Sequence, residues 1–415
     1  MFKNFFCLLL GVCFLTSCNN NDDNEFPVKP DKDSITILSY LIANNNLDSD
    51  LLANIGAMYD GLAGVGQPVE LFVYWDGKTM LGSKKSSHVI LKYSTDGKGN
   101  INGRPALDDS ATLNDVLDVA EIVKSYTDQN STEKNVFTKV LNDMVTLSST
   151  DKFGLVVGAH GSSWLNTINT KTGRALGYDG SFDNSILLTD MVNAITSVGK
   201  TFEFILFDAC YMGTVEVCHT FRNVADYLIA SVMEVPAYGF PYDTFMKYLY
   251  QGTVEGYKLV CQKFVDYYKT CYNSGASSWG TVALVDSKEM ENLTNVLKQE
   301  IVSHKDLLAD YRTGNLQEYG KDAGPFIAYD VEHFVRDLNP GNPIESFEKQ
   351  LKKTILYKGC LENAKPTNYK VDASNFCGLG IYIPVSSRPK WNEYFKTLDW
   401  YTVSGWNEVA FDWNF

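Results

Sequence analysis

Short apolar runs alternate along the chain with stretches in which apolar residues recur every three or four positions. The runs "SITILSYLIA" (34–43), "VELFVYWD" (69–76), "FGLVVGAH" (153–160), "FEFILFDA" (202–209), "DYLIASV" (226–232) and "WGTVALVD" (279–286) predict strands. Several are apolar at consecutive rather than alternate positions, the pattern of strands covered on both faces. Between them, "TLNDVLDVAEIVKSY" (112–126) and "LTDMVNAITSVG" (188–199) have helical spacing, the second with Thr189 as N-cap and Gly199 as stop. This order predicts an α/β fold in three layers, a mostly parallel central sheet flanked by helices. From 287 to 357 the pattern is mainly helical, and "FCGLGIYIP" (376–384) returns to a strand. The mainly helical C-terminal part, 287–415, either packs on a domain of residues 35–286 or belongs to the same folding unit.

The first residues do not fit this alternation. "MFKNFFCLLLGVCFLTSC" has Lys3, then an apolar run too short to span a bilayer comfortably, then small residues, the build of a secretory signal over residues 1–17. Leu15-Thr16-Ser17-Cys18 is similar to the lipobox of bacterial lipoproteins, which implies lipidation of Cys18 and a membrane anchor on the bacterial cell envelope. Residues 18–34 are polar, acidic and proline-bearing, as a flexible tether should be. Asp22 and Asp23 resemble signals that send lipoproteins to the outer membrane or cell surface.

The net charge of −14 and the lack of a basic run longer than Lys84-Lys85 exclude a phosphate-backbone binder, so nucleic acid is not an expected partner. At 45% apolar residues the chain can bury a large core without staples. Six cysteines follow Cys18, at long and irregular spacings with no C-x-x-C pair, so a structural zinc site is not expected.

The candidate chemistry lies at strand ends. In an open α/β sheet, loops from neighbouring strands meet at their carboxyl ends. His160 ends the run 153–160, and Cys210 follows the run 202–209 in "DACYMG". A thiol and an imidazole on one sheet edge can form a nucleophile and its proton-transfer partner. Their interval of 50 residues is the spacing seen in caspases. Cys218 is expected in a helix core and His219 on its surface; His88, His304 and His333 have no companions at chemical spacing.

"GLVVGAHGSSW" and "ILFDACYMGTVEV" resemble the histidine and cysteine motifs of the clostripain-like cysteine peptidases, relatives of caspases, gingipains and legumains. "ITILSYLIANNNLD", "ASVMEVPAYGFPY" and "GLGIYIP" corroborate the likeness in the same order, over about residues 35 to 390. The resemblance implies a caspase-like fold, Cys210 as nucleophile, His160 as proton donor to the leaving amine, and the N–H groups of Gly161 and Cys210 as an oxyanion cradle. It also implies that Asp208 lines the pocket for a basic residue before the scissile bond, with Glu234 able to assist; the other reading of Asp208 is a carboxylate tied to neighbouring backbone amides. Val232 and Met233 stand where relatives often carry acids, and Asn44 replaces a common aspartate with a structural consequence. No cofactor is required; some relatives depend on calcium, which leaves a calcium site open. Relatives cut between the two motifs point to Lys171 and Arg174 as processing positions.

The function expected is an envelope-anchored cysteine endopeptidase acting on peptides or proteins after Arg or Lys. The alternative is a catalytically silent, peptidase-like lipoprotein that binds peptides or a partner. Hydrolysis of glycans by paired carboxylates has no pair singled out by spacing.

Overall fold

The computed structural model describes residues 29–81, 87–165, 176–181, 184–320 and 327–411. The leader, Cys18, Lys171 and Arg174 lie outside them. One sheet organises the chain, with strands in the order Ile355–Cys360, Thr281–Asp286, Ala225–Ala230, Phe202–Asp208, Lys152–Gly158, Ile35–Ala43, Pro68–Gly77 and Val89–Asp96, extended by short hairpin strands beyond. The five from Ala225–Ala230 to Pro68–Gly77 are mutually parallel, and the edges are antiparallel. The mostly parallel sheet is as the apolar runs predict.

Burial on both faces explains the continuous apolar runs. All nine residues of Ile35–Ala43 are buried. Tyr40, Val157 and Phe207 face one core, with helices Lys134–Leu147, Leu188–Ser197 and Met290–Ser303. Leu41, Val156 and Leu206 face the other, with helices Asp48–Ala63, Tyr242–Leu249 and Val254–Ser274. The C-terminal part adds Ile355–Cys360 to the sheet, and Phe334, Tyr382 and Trp406 to the first core.

Three local expectations change. The helix expected over 112–126 ends at Val119, and Glu121–Ser125 is a strand paired with Val89–Asp96. An open sheet edge supplied partners for Glu121, Ile122, Lys124 and Ser125 that outweighed their helical phase. Only Gly380–Ile381 of the run 376–384 forms a strand. Thr189 lies within helix Leu188–Ser197, whose N-cap is Leu187; Gly199, with φ +69°, stops it as expected.

The strands before the two candidate residues are neighbours, with Gly154 beside Phe204. A β-carbon at Gly154 would stand 2.2 Å from the Phe204 ring. Gly154→Ala should therefore cost about 1–3 kcal/mol by overpacking, seen as a lower melting temperature in circular dichroism.

Candidate active site

Gly158 and Asp208 are paired in register on adjacent parallel strands, so His160 and Cys210 each lie two residues beyond the same level of the sheet. The N–H of Ala159 donates to the Asp208 carbonyl at 3.2 Å, carrying the contact past the strand ends. At Gly161 the two loops press together. A β-carbon there would be 2.3 Å from the Cys210 carbonyl oxygen and 3.1 Å from its nitrogen. Glycine is required because the histidine loop lies directly against the backbone of Cys210.

After Cys210 the chain turns through Tyr211, at φ +62°. This unusual conformation for a large side chain is held by the Tyr211 N–H donating to Met233 O (3.0 Å) and the Gly213 N–H to Ser231 O (2.7 Å). The segment 231–235 is thereby laid along the cysteine loop, and the Val235 N–H approaches Cys210 Sγ at 3.4 Å. Cys210 is half-buried and forms no disulfide, nor do the other five cysteines among the described residues.

The imidazole is anchored from two directions. His160 Nε2 lies 2.9 Å from Asn46 Oδ1, and the Tyr178 hydroxyl donates to that oxygen at 2.5 Å. The Tyr178 ring stacks on the imidazole, with centroids 5.1 Å apart and planes 15° from parallel. With Asn46 presenting its oxygen, Nε2 carries a proton, which in the neutral ring leaves the lone pair on Nδ1. The Gly177 N–H holds the histidine carbonyl at 2.7 Å. Asn45 donates to Ile42 O and Tyr178 O, both at 2.9 Å, while Asn44 Nδ2 donates to Asp179 Oδ1 at 2.6 Å. Asn44 thus has the structural consequence expected: an amide here can donate to a carboxylate that an aspartate would repel.

Asp208 is enclosed by neighbouring polar groups. It is 5% exposed, and its Oδ2 accepts from Tyr242 OH (2.9 Å), Phe240 N (3.2 Å) and Asn54 Nδ2 (3.3 Å). Burial pushes its pKa up to about 6, against the pull of Tyr242 and the Phe240 amide. Gly239, at φ +75°, closes over it, since a β-carbon there would be 2.5 Å from Oδ2. The strand ends at Asp208, two residues before Cys210. Glu234 lies in the segment 231–235 that runs along the cysteine loop. It accepts from Tyr211 OH at 3.3 Å and from Tyr369 OH, one residue before the amide that meets Cys210 Sγ. Val232 and Met233 are buried in the core.

Sequence reasoning missed Asn46, Tyr178, Tyr211 and Tyr369. Three asparagines directly after the strand Ile35–Ala43 were the available signal for Asn46; the tyrosines left none. His219 is not on the surface but 2% exposed. His88 pairs with the buried Asp76 at 2.5 Å, His304 with Glu300, and His333 accepts from Gln317 N. Among the described residues no group of three His, Cys, Asp or Glu is placed to hold a metal ion. No described helix is long and apolar enough to cross a membrane.

Residues 39–413 match the family profile described as Peptidase_C11: Clostripain family. The chain belongs to the clostripain family. This is a family of cysteine peptidases. Clostripain from Hathewaya histolytica is 24% identical over 248 residues, 55% of this chain and 43% of that protein, so the match spans under half of that relative. Two solved structures share the fold at TM-score 0.71 and 24% identity over 91% of this chain: an inactive zymogen C11 protease from Parabacteroides distasonis, 99% of it covered, and the secreted C11 cysteine protease "iotapain" from Bacteroides thetaiotaomicron, fully covered. A B. fragilis cysteine protease, 26% identical, is similar over 56% of this chain and 98% of its own, with TM-score 0.52.

The anchor on the imidazole gives a test. Asn46→Ala should lower kcat for peptide hydrolysis about 10–100-fold with a smaller change in KM. Asn46→Asp keeps the acceptor; it should retain most activity and move the pH–rate profile upward, because a carboxylate favours the protonated ring. An unchanged profile in both variants would leave Asn46 a purely structural residue.

Proposed function

We propose that the protein is a cysteine endopeptidase in which Cys210 and His160 act as a dyad. The observation that carries this reading is the contact of Gly161 with the Cys210 backbone, which brings the thiol loop and the anchored imidazole to one sheet edge. The Cys210 thiolate attacks the scissile carbonyl carbon, and the N–H groups of Gly161 and Cys210 receive the developing oxyanion. The proton that the Cys210 thiol gives up to His160 Nδ1 passes to the departing amine as the carbon–nitrogen bond breaks, and water then releases the acyl group from sulfur and restores the thiol proton. A silent peptide binder has no need of a nucleophile and a tautomer-fixed imidazole in this arrangement.

The substrate class we infer is a peptide with Arg or Lys before the cleaved bond. Glu234, steadied by two tyrosine hydroxyls beside the Cys210 loop, is the carboxylate best placed to meet a cationic side chain, with the buried Asp208 as a second acidic group two residues before Cys210. Its tyrosine partners supply the ordering that the missing acids at Val232 and Met233 do not. Cys210→Ala should abolish turnover of fluorogenic peptides while leaving circular dichroism unchanged, and Glu234→Gln should reduce kcat/KM for Arg and Lys peptides at least about tenfold more than for Leu peptides. Equal cleavage of Arg and Leu peptides by the wild type would reject basic specificity. On a denaturing gel, self-processing at Lys171 or Arg174 would give two fragments from the wild type and one intact band from Cys210→Ala.

We place the protein on the bacterial envelope through a lipid on Cys18, on the strength of the leader and lipobox pattern. Acyl chains contribute about 0.8 kcal/mol per buried CH₂, so two or three hold a protein on a membrane durably. Cys18→Ser should move the protein from the membrane fraction to the soluble one; equal membrane recovery would reject the anchor.

A further inference from the structure

Two buried carboxyls meet beside the loops that hold His160, and the chemistry above uses neither. Asp76 lies near the end of strand Pro68–Gly77, level with Ile42 of the neighbouring parallel strand, and so reaches the same carboxyl edge of the sheet. It is fully buried; its Oδ1 lies 2.5 Å from His88 Nδ1, and its Oδ2 is buried without a hydrogen-bond partner. Asp179 is also buried, but both its oxygens are supplied: Oδ1 by Asn44 Nδ2 at 2.6 Å, and Oδ2 by the Ser131 amide at 2.6 Å and the Ser131 hydroxyl at 3.1 Å. The two carboxyls are within hydrogen-bonding reach of each other.

Two carboxylates in one dry space repel, and a buried acceptor with no donor is costly. One proton on Asp76 Oδ2, donated to Asp179, removes both costs. The donors already gathered on Asp179 mark it as the charged member and leave Asp76 as the acid. Burial raises the Asp76 carboxyl above the ordinary carboxylate range, and the Asp179 charge pushes the same way, against the pull of the Ser131 hydroxyl and of His88. Around the pair, Tyr40 and Tyr74 come from the two strands, Tyr126 and Ser131 from the segment before helix Lys134–Leu147, and His88 from the sheet edge, with the exposed Asp128 3.6 Å beyond its Nε2. A cation in the proton's place has too few ligands: among the described residues no three His, Cys, Asp or Glu are placed to hold one, and Asn44 turns its N–H to Asp179.

The pair sits in the frame of the imidazole anchor. Besides the Tyr178–Asn46 contact, residues 44–46 and 178–180 are tied by Gly180 N–H to Asn44 O (2.8 Å), Asn45 Nδ2 to Tyr178 O (2.9 Å) and Asn44 Nδ2 to Asp179 Oδ1. These bonds seat Tyr178 on Asn46 and on the ring of His160. A second charge, on Asp76, would push Asp179 away from Asn44 and Ser131 and loosen that frame. We propose that one proton shared by Asp76 and Asp179 keeps Tyr178 and Asn46 seated on His160, which makes the two carboxyls positioning residues for the dyad. The proposal rests on the Cys210–His160 reading only for its effect on rate.

The proton and the anchor are tested first in Cys210→Ala protein, where peptidase activity plays no part. A carboxyl that titrates higher in the folded than in the unfolded chain makes stability fall as pH rises from the ordinary carboxylate range toward neutrality. Over that window the melting temperature should fall at least about 3 °C more than in the same protein carrying Asp76→Asn, whose amide donates to Asp179 without titrating. Asp179→Asn, which removes the other charge, should flatten the same window and serves where Asp76→Asn fails to fold. In spectra of 15N-histidine-labelled protein at about pH 8.5, His160 should keep the single Nε2–H tautomer with Asp76→Asn and lose it with Asp76 in place. With Cys210 restored, kcat for peptide hydrolysis should fall between about pH 7 and about pH 9 at least about fivefold more in the wild type than in Asp76→Asn, with KM little changed, while Asp76→Ala should be about tenfold slower throughout. Parallel melting curves, one His160 tautomer in both proteins, an equal pH dependence of kcat, or stabilisation by calcium that Asp76→Asn abolishes would overturn the proposal. If no peptide is cut at any pH the dyad reading fails, while the melting and tautomer results still decide the shared proton.

Discussion

The site depends on the side-by-side pairing of Lys152–Gly158 with Phe202–Asp208. Parallel strands in register bring residues fifty positions apart to one level, and a shift of register would move His160 and Cys210 apart along the sheet and exchange the buried faces. Both faces are buried, so a slip is opposed by two cores at once. Glycine at 154 and 161 lets the pair close, once within the sheet under Phe204 and once beyond it against Cys210.

A second layer of constraint is polar. The loops at the carboxyl edge bury hydrogen-bonding groups and satisfy them from distant segments: Asp179 accepts from Asn44 and from the Ser131 amide at 2.6 Å, and Tyr40 OH donates to Ser131 O at 2.7 Å. Asp76 lies in the same region, its carboxyl pushed up by burial and by the Asp179 charge while His88 pulls the other way. Such networks are rigid when complete, which suits an imidazole that must keep one tautomer and one orientation.

Much of the architecture was legible because burial on both faces writes itself into consecutive apolar residues, as in Ile35–Ala43. His160 and Cys210 were legible as candidates for the same reason, each following such a run at the edge where α/β sheets collect chemistry. What failed depended on contacts formed far away. Glu121–Ser125 became a strand because the edge Val89–Asp96 needed a partner, and His219 became buried against Trp400, 181 residues on, with ring centroids 5.3 Å apart. The Asn46–Tyr178 anchor joins loops 132 residues apart.

The anchor on the imidazole draws its parts from both sides of the interval 165–176. Any break in the chain there assigns Asn46 and His160 to one piece and Tyr178, Asp179 and Cys210 to the other. The active site would then be a subunit interface, built from two polypeptides whose sheet strands remain neighbours. Neither piece alone holds an oriented imidazole beside a thiol. Recovery after complete unfolding would become bimolecular, its rate set by protein concentration, whereas an unbroken chain refolds as a single unit whatever the dilution.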